Sequence, residues 1–343
     1  MKKIILTGGG TAGHVTPNLA IMPNLVEKGF EIHYIGSHTG IERELVEATG
    51  VPYYGISSGK LRRYVSRKNV ADVFRVGKGV IDAARVLRKI KPDIVFSKGG
   101  FVVVPVVAAA RLCGIKSVIH ESDITPGLAT RLAIPFASKV CVSFKDTLAH
   151  VPTNKGVFTG APLRPQLFSG TAQYKTRPNL LVMGGSLGAA AINACVRETL
   201  PQLLQVFDVT HLCGKGNLAN INEKGYTQHE YVKDEMANIL ANADIVVSRA
   251  GANAIFELAA LHKPSLLVPL SLAASRGDQI KNAESFAKQG LVMVLQEDEL
   301  TPQALLQNLH QLYDNRAAFV ARLQAQKFSS GVENVVEAII TSL

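Results

Sequence analysis

At 343 residues the chain is longer than one typical core, so two domains are expected, and 47% apolar residues can bury them without covalent staples. Lys and Arg outnumber Asp and Glu by 37 to 27, a net charge of +10 that implies an anionic partner. With 6% aromatic residues, no Trp and no nucleic-acid motif, that partner is not expected to be DNA or RNA. Cys113, Cys141, Cys195 and Cys213 form no CxxC pair, and no His is spaced to complete a zinc site. This predicts reduced, buried thiols and no protein-bound metal. The apolar run after Lys2 and Lys3 is too short for a secretory leader. The longest uncharged apolar runs, such as 99–110, fall short of the ~20 residues of a membrane span.

Residues 3–7 read as a buried strand, and GGGTAGH then opens a helix running to about Lys28. Gly8, Gly10 and Gly13 have the G-x-G-x-x-G spacing of dinucleotide sites, a weak signal by itself. The second strand, 31–35, ends in Gly36, Ser37 and His38 with no acid to hold a ribose, so a nicotinamide site lacks its second requirement. A G-x-x-x-x-G-K-[ST] phosphate loop is absent too. His14 reads either as a polar residue near a helix start or as a base aimed into a cleft, since imidazole titrates near neutrality. Residues 69–89 predict a helix that packs its apolar positions on the sheet and leaves Arg75, Lys78, Arg85, Arg88 and Lys89 outside. The span 60–91 holds eleven Lys or Arg against two Asp. Within it Leu61, Tyr64 and Val65 lie among Lys60, Arg62, Arg63, Arg67 and Lys68, which reads as a solvated basic face or as a contact with an anionic membrane surface.

A strand at 93–97 is closed by KGGF, with Gly99 and Gly100 at its C-terminal edge. After a strand at 117–119 comes HESDITPGLATR, which groups His120, Glu121, Ser122 and Asp123 where parallel sheets bind ligands. A strand at 139–143 closes the first domain, and the turn-rich 150–170 reads as a linker whose Arg164 fork suits phosphate oxygens. NLLVMGGSLGAAAIN then repeats strand, glycine loop and helix, with Ser186 in the loop, and predicts a second Rossmann-like domain. Further strands are expected at 206–212, 244–248, 265–268 and 291–295.

In DIVVSRAGANAIFELAAL a strand feeds a helix through a very short loop. The unpaired N–H groups of the helix's first turn, together with its dipole, favour a phosphate or diphosphate. Ala252, Asn253 and Ala254 are small enough to admit one, and Glu257, one turn on, can accept from a ribose diol. The same stretch also fits a solvated Glu257 and a surface Arg249. Asp278, Gln279 and Asn282 open a later helix, as partners of sugar hydroxyls or, for Asp278, as its cap.

GGGTAGH, KGGF, HESDITPGLA, GAPLRP, MGGSLGA, SRAGANAIFELAA and SRGDQIKNA, in this order, closely resemble the motifs of glycosyltransferase family 28, nearly end to end. The resemblance implies an α/β GT-B fold, two Rossmann-like parallel-sheet domains facing a central cleft. An N-terminal acceptor and membrane-associating domain would span 1–160 and a C-terminal UDP-sugar donor domain 161–327, with a helix in 328–343 packing back on the first. The implied reaction moves N-acetylglucosamine from UDP-N-acetylglucosamine to the C4 hydroxyl of undecaprenyl-pyrophosphoryl-N-acetylmuramyl-pentapeptide, inverting the anomeric centre. It builds the lipid-linked precursor of peptidoglycan with no cofactor and no bound metal. Peripheral attachment to the cytoplasmic side of the plasma membrane, beside other cell-wall synthesis proteins, is implied as well.

Carried over motif by motif, the resemblance puts Thr11, Gly13, Arg164, Ser186, Arg249, Ala252, Asn253, Ala254, Glu257, Asp278 and Gln279 on the donor. It puts His14, Gly99, Gly100, His120, Glu121 and Asp123 on the acceptor side, with His14 the first choice of base and Glu121 and Asp123 its competitors. Other members carry leucine and threonine at Asn253 and Ala254 and two glutamines at Asp278 and Gln279. The alternatives are a related lipid-acceptor glycosyltransferase, a UDP-N-acetylglucosamine 2-epimerase and a non-enzymatic membrane module. Product identity, acceptor requirement and donor affinity separate them.

Overall fold

The computed structural model describes residues 1–59, 67–185, 187–232 and 235–343, with the backbone alone over 67–73. Lys60, Leu61, Arg62, Arg63, Tyr64, Val65 and Ser186 lie outside the described residues. The chain divides into two compact units, Met1–Arg164 with Ser330–Leu343, and Pro165–Ser329. The sequence had set these borders at 160 and 327.

The first unit begins β1 (Lys2–Thr7), α1 (Thr16–Glu27), β2 (Phe30–Ser37), α2 (Ile41–Glu47), β3 (Tyr53–Ile56) and α3 (Arg67–Ile90). It continues β4 (Ile94–Ser97), α4 (Val103–Leu112), β5 (Lys116–Glu121), α5 (Leu128–Ala133), β6 (Lys139–Val142) and β7 (Gly156–Phe158). The strands pair in parallel in the order β3-β2-β1-β4-β5-β6-β7. Side chains alternate across a strand, so Ile4 and Leu6 face a core with Ile21 and Leu25 of α1, while Ile5 faces Leu87 of α3 and Val106 of α4. Both faces of β1 are thus covered, which is why its sequence is an unbroken apolar run. On α3 the positions Ala83, Leu87 and Ile90 go inward, and Phe74, Lys78, Ile81 and Arg85 stay exposed.

The second unit runs β8 (Asn179–Met183), α6 (Ala190–Glu198), α7 (Leu200–Val206), β9 (Asp208–Leu212), β10 (Tyr226–His229), α8 (Met236–Asn242), β11 (Ile245–Ser248) and α9 (Ala252–Ala260). β12 (Ser265–Leu267), α10 (Asp278–Ala287), β13 (Met293–Val294), α11 (Pro302–Asp314) and α12 (Arg316–Ala325) complete it. Its sheet is parallel in the order β10-β9-β8-β11-β12-β13. Leu180 and Val182 pack toward α6 and α11, and Leu181 toward α8 and α9. In each sheet the strand order reverses beside the first strand, at β1–β4 and at β8–β11, the place where open α/β sheets hold ligands.

The last helix, α13 (Val332–Ile340), returns to the first unit, where Val335 and Ile339 share a core with Ile21 and Leu25. Backbone contacts fix its entry: Gly331 N–H donates to Ala161 O at 2.8 Å, and Leu163 N–H to Ser330 Oγ at 3.1 Å. Asn334 Nδ2 donates to Thr159 O at 3.1 Å. The sequence missed β3, β7 and β10, and β13 is shorter than its expected span; all four are edge strands. Edges need less apolar cover than central strands and leave a weaker pattern. Replacing Ile339 by Ala should cost about 2–4 kcal/mol of first-unit stability, read from the urea midpoint, because a closely packed helix leaves a cavity rather than collapsing.

Candidate active site

Between β1 and α1, Gly8, Gly9, Gly10 and Thr11 lead into a single 3-10 turn, Ala12–His14, where the sequence had placed the helix itself. At Gly8 a Cβ would stand 2.5 Å from the His14 carbonyl oxygen, and at Gly100 (φ 86°) it would collide with the Gly9 carbonyl. The glycines are therefore what let the KGGF loop lie directly on the first loop. Three side chains hold that loop open. The buried Glu42 carboxylate accepts from Gly10 N–H (3.1 Å), Ser37 N–H (3.1 Å) and Ser37 Oγ (2.5 Å). Tyr34 Oη donates to Gly8 O at 2.8 Å, and Asn18 Nδ2 donates to Thr7 O at 3.1 Å.

His14 is half-buried with Nδ1 3.1 Å from Gly9 O and 3.1 Å from Thr11 Oγ1. A carbonyl only accepts, so the neutral ring carries its proton on Nδ1 and leaves the Nε2 lone pair unused by that bond. Burial, and then the Lys98 ammonium, push the imidazole pKa down to about 4 against the opposing pull of the Gly9 carbonyl and Glu42. His14 is thus a neutral base at pH 7. A Cβ on Gly99 would sit 3.1 Å from His14 Cδ2, so glycine leaves the Nε2 edge of the ring uncovered by a side chain.

The strand edge next to it carries Glu121 and His120, both singled out by the sequence. Glu121 Oε1 accepts from Ser122 N–H (2.8 Å) and Asp123 N–H (3.0 Å), and Oε2 accepts from Gly127 N–H (3.1 Å). Three of its lone pairs thus hold the 122–127 loop. His120 is 1% exposed, with Nε2–H donated to Gly160 O at 3.1 Å; burial and Lys98 hold it well below the usual imidazole range. Such a ring ties β5 to the Gly160 carbonyl. Asp123 remains half-buried at the loop, and its carbonyl accepts from Thr147 Oγ1 at 3.3 Å. The sequence missed Lys98, 1% exposed, whose Nζ donates to Ser122 Oγ. Burial lowers it to about 8 even though Glu121 and Asp123 favour its charge. A lysine directly after a buried strand was the available signal. Glu42 had none.

In the second unit α9 starts at Ala252 behind Gly251 with no side-chain cap and no acid in its first turn. Ala252 is buried, Asn253 and Ala254 are half-buried, and Glu257 follows half-buried one turn later. The helix tip thus presents backbone N–H groups and a positive dipole end without a carboxylate of its own to neutralise them. Asn282 Nδ2 of α10 donates to Ala250 O at 3.4 Å and steadies the turn. Arg249 is tied inward. Its guanidinium donates to Val268 O at 3.1 Å and pairs with Glu297, only 12% and 15% of the two side chains being exposed. Burial opposes ionisation of Glu297, but the Ser271 amide and Arg249 together hold its pKa below the normal range. The Arg249 fork is spent on tying β11 to the loops after β12 and β13. Gln279 Oε1 accepts from Leu270 N–H at 3.1 Å, which leaves its amide NH₂ as the group to offer a ligand. Asp278 and Arg164 are half-buried, Thr11 is exposed and Gly13 half-buried.

Beside Gly188, in the second glycine loop, lies a buried relay that the sequence did not show. His211 is flanked by Tyr226 Oη (2.9 Å) and Asn193 Oδ1 (3.0 Å), and Asn193 Nδ2 donates to Cys213 O at 2.8 Å. A Cβ on Gly188 would collide with that same Cys213 carbonyl. Among the described residues no three His, Cys, Asp or Glu gather as metal ligands.

Two doubly wound parallel sheets, each with a glycine loop at the reversal of strand order, define the GT-B class of glycosyltransferases. The chain belongs to glycosyltransferase family 28: residues 4–142 match its N-terminal domain and 179–339 its C-terminal domain. It is 53% identical over 99% of its length, and 98% of the relative's, to a UDP-N-acetylglucosamine–N-acetylmuramyl-(pentapeptide) pyrophosphoryl-undecaprenol N-acetylglucosamine transferase of Lachnoclostridium phytofermentans. The transferase of that name from Geobacillus thermodenitrificans is also 53% identical, with 98% of each chain covered. The crystal structure of Acinetobacter baumannii MurG superposes with a TM-score of 0.79 at 27% identity, covering 99% of this chain and 100% of that one.

His211 has its pKa lowered to about 4 by burial and then by Arg197, against 6.5 for the exposed ring. Between those values the unfolded chain binds the extra proton, so stability present above pH 6.5 is lost as pH falls toward 4. At pH 5 this group should account for roughly 2 kcal/mol of lost stability. Urea titrations at pH 7.5 and pH 5 check it: the drop should be large in the wild type and markedly smaller in His211→Asn.

Proposed function

We propose that this chain transfers N-acetylglucosamine from UDP-N-acetylglucosamine to the C4 hydroxyl of an undecaprenyl-pyrophosphoryl-N-acetylmuramyl-pentapeptide, forming a β-1,4 link. Relatives 53% identical from end to end are named for this transfer, and that observation carries the assignment. The geometry supplies the chemistry. In the first unit His14 Nε2 takes the proton of the attacking hydroxyl, with Glu121 and Asp123 its competitors. The C4 oxygen bonds to the anomeric carbon as the bond from that carbon to the UDP oxygen breaks, and the configuration inverts. In the second unit the N-terminus of α9 at Ala252, Asn253 and Ala254 takes the negative charge of the departing diphosphate, with no step routed through a protein-bound metal. Glu257 accepts from the uridine ribose, and Asp278 with the Gln279 amide reads hydroxyls of the sugar. Arg164 is assigned to a phosphate.

The acceptor is a lipid, and the first unit is suited to meet it. No helix among the described residues is long and apolar enough to cross a membrane. On α3, Phe74 (74% exposed) and Ile81 stand among Arg75, Lys78, Arg85, Arg88 and Lys89, a pattern that favours peripheral attachment to an anionic bilayer face. We assign that face to the cytoplasmic side of the plasma membrane, where UDP-sugars are made available, and regard other cell-wall synthesis proteins as partners there.

The direct test is incubation with UDP-N-acetylglucosamine and a short-chain lipid-pyrophosphoryl muramyl pentapeptide. A disaccharide product is expected; donor turnover without acceptor would indicate an epimerase, and a glycosylated diacylglycerol a different lipid transferase. His14→Ala should lower turnover by ~10²-fold or more with UDP affinity unchanged in calorimetry. Glu257→Ala should weaken UDP binding about tenfold or more, the loss expected when a charged acceptor is removed from a hydroxyl pair.

A further inference from the structure

Glu42 is a fully buried acid at the start of α2, and its oxygens are spent on the ends of two neighbouring strands. Oε1 accepts from the amide and the hydroxyl of Ser37, the last residue of β2, and Oε2 from the amide of Gly10, three residues beyond β1. Tyr53 secures the Ser37 side, its Oη donating to Ser37 O at 2.6 Å. On the loop side the fit is tight, for a Cβ on Gly9 would collide with Oε1 of the acid. Gly9 thus has the carboxylate against its Cα, while its own carbonyl oxygen lies 3.1 Å from His14 Nδ1. The other neighbour of Nδ1, Thr11 Oγ1 at 3.1 Å, is a hydroxyl that can give or take a hydrogen bond, so it does not choose the tautomer. The Gly9 carbonyl does. Three successive glycines give the 8–10 loop no stiffness of its own, so the direction of that carbonyl depends on what binds the loop.

We propose that Glu42 is a positioning residue of the transfer reaction: by holding Gly9 and Gly10 it aims the Gly9 carbonyl at His14 Nδ1, which keeps the ring proton there and leaves Nε2 to receive the proton of the acceptor hydroxyl. The proposal rests on the reading of His14 as the base. Glutamine is the discriminating replacement, because it has the size of the acid but only one accepting oxygen. Its NH₂ must then face the amide of Gly10 or that of Ser37, donor against donor, and one strand end is released. With the loop released, Gly9 O no longer selects Nδ1, and the ring carries its proton on either nitrogen. Only one of those tautomers has its lone pair on Nε2.

The test is ¹⁵N-histidine NMR of the full chain at pH about 8, where an ordinary imidazole is neutral, with His14 assigned by the signals lost in His14→Gln. The wild type should show a protonated Nδ1 and a bare Nε2. In Glu42→Gln, and in Gly9→Ala, whose Cβ pushes the loop off the acid, the two nitrogen signals should move toward each other or exchange. Turnover should follow: kcat falls by about 10²-fold, the loss that ~1 Å of misplacement brings, while UDP affinity stays the same in calorimetry. A wild-type ring protonated on Nε2, or signals unmoved in both variants, would overturn the proposal while leaving His14 as the base. Loss of the native far-UV spectrum in both variants would make Glu42 a folding residue and overturn it equally. Near-wild-type turnover in His14→Gln would instead remove the base assignment on which it stands.

Discussion

A buried carboxylate decides the shape of the first unit's ligand edge. Placing Glu42 where no solvent reaches it would cost several kcal/mol if its oxygens were left bare. Gly10 N–H, Ser37 N–H and Ser37 Oγ supply the missing hydrogen bonds, and in doing so they fix the glycine loop to the end of β2. The loop then has one conformation open to it. Tyr34 and Asn18 secure its first residue and the end of β1, the 3-10 turn follows, and His14 Nδ1 meets Gly9 O as a result. The tautomer of His14 is thus set through a loop that the Glu42 carboxylate holds in place.

The second unit solves a related problem with opposite electrostatics. Here no acid lies under the first turn of α9, and the cation near it, Arg249, is neutralised within the protein by Glu297. What remains is a helix end with positive partial charge and small side chains, an arrangement that favours an anion. A free arginine at that place would bind it more firmly. The same α/β architecture therefore presents a neutral imidazole in one unit and a helix end of positive partial charge in the other.

How much of this was legible in the sequence follows from where each signal is stored. Central strands are covered on both faces, so their apolar runs, such as residues 3–7 and 244–248, declare them; β3, β7 and β10 lie at edges and have Gly or polar residues instead. Glycine loops, His14 and the α9 tip could be read because their chemistry depends on local order along the chain. Glu42 and Lys98 could not: apart from Ser37, five residues back, Glu42 pairs with Gly10 32 residues away, and Lys98 pairs with Ser122 24 residues away. Glu121 and Arg249 are residue types that suit a ligand, yet Glu121 also closes on the amides that follow it and Arg249 reaches 48 residues to Glu297. A side chain's partner, more than its identity, settles whether it faces in or out.

The return of α13 to the first unit bears on how the chain is made. Its partners Ile21 and Leu25 leave the ribosome early, and the whole second unit must be synthesised before Val335 and Ile339 arrive to cover them. During that interval the nascent first unit carries an unsealed greasy stripe along α1, of the sort that chaperones bind. Completion of the front half is in this way postponed until the back half has been translated, and a ribosome stalled before residue 332 would release a protein with one finished lobe and one sticky one.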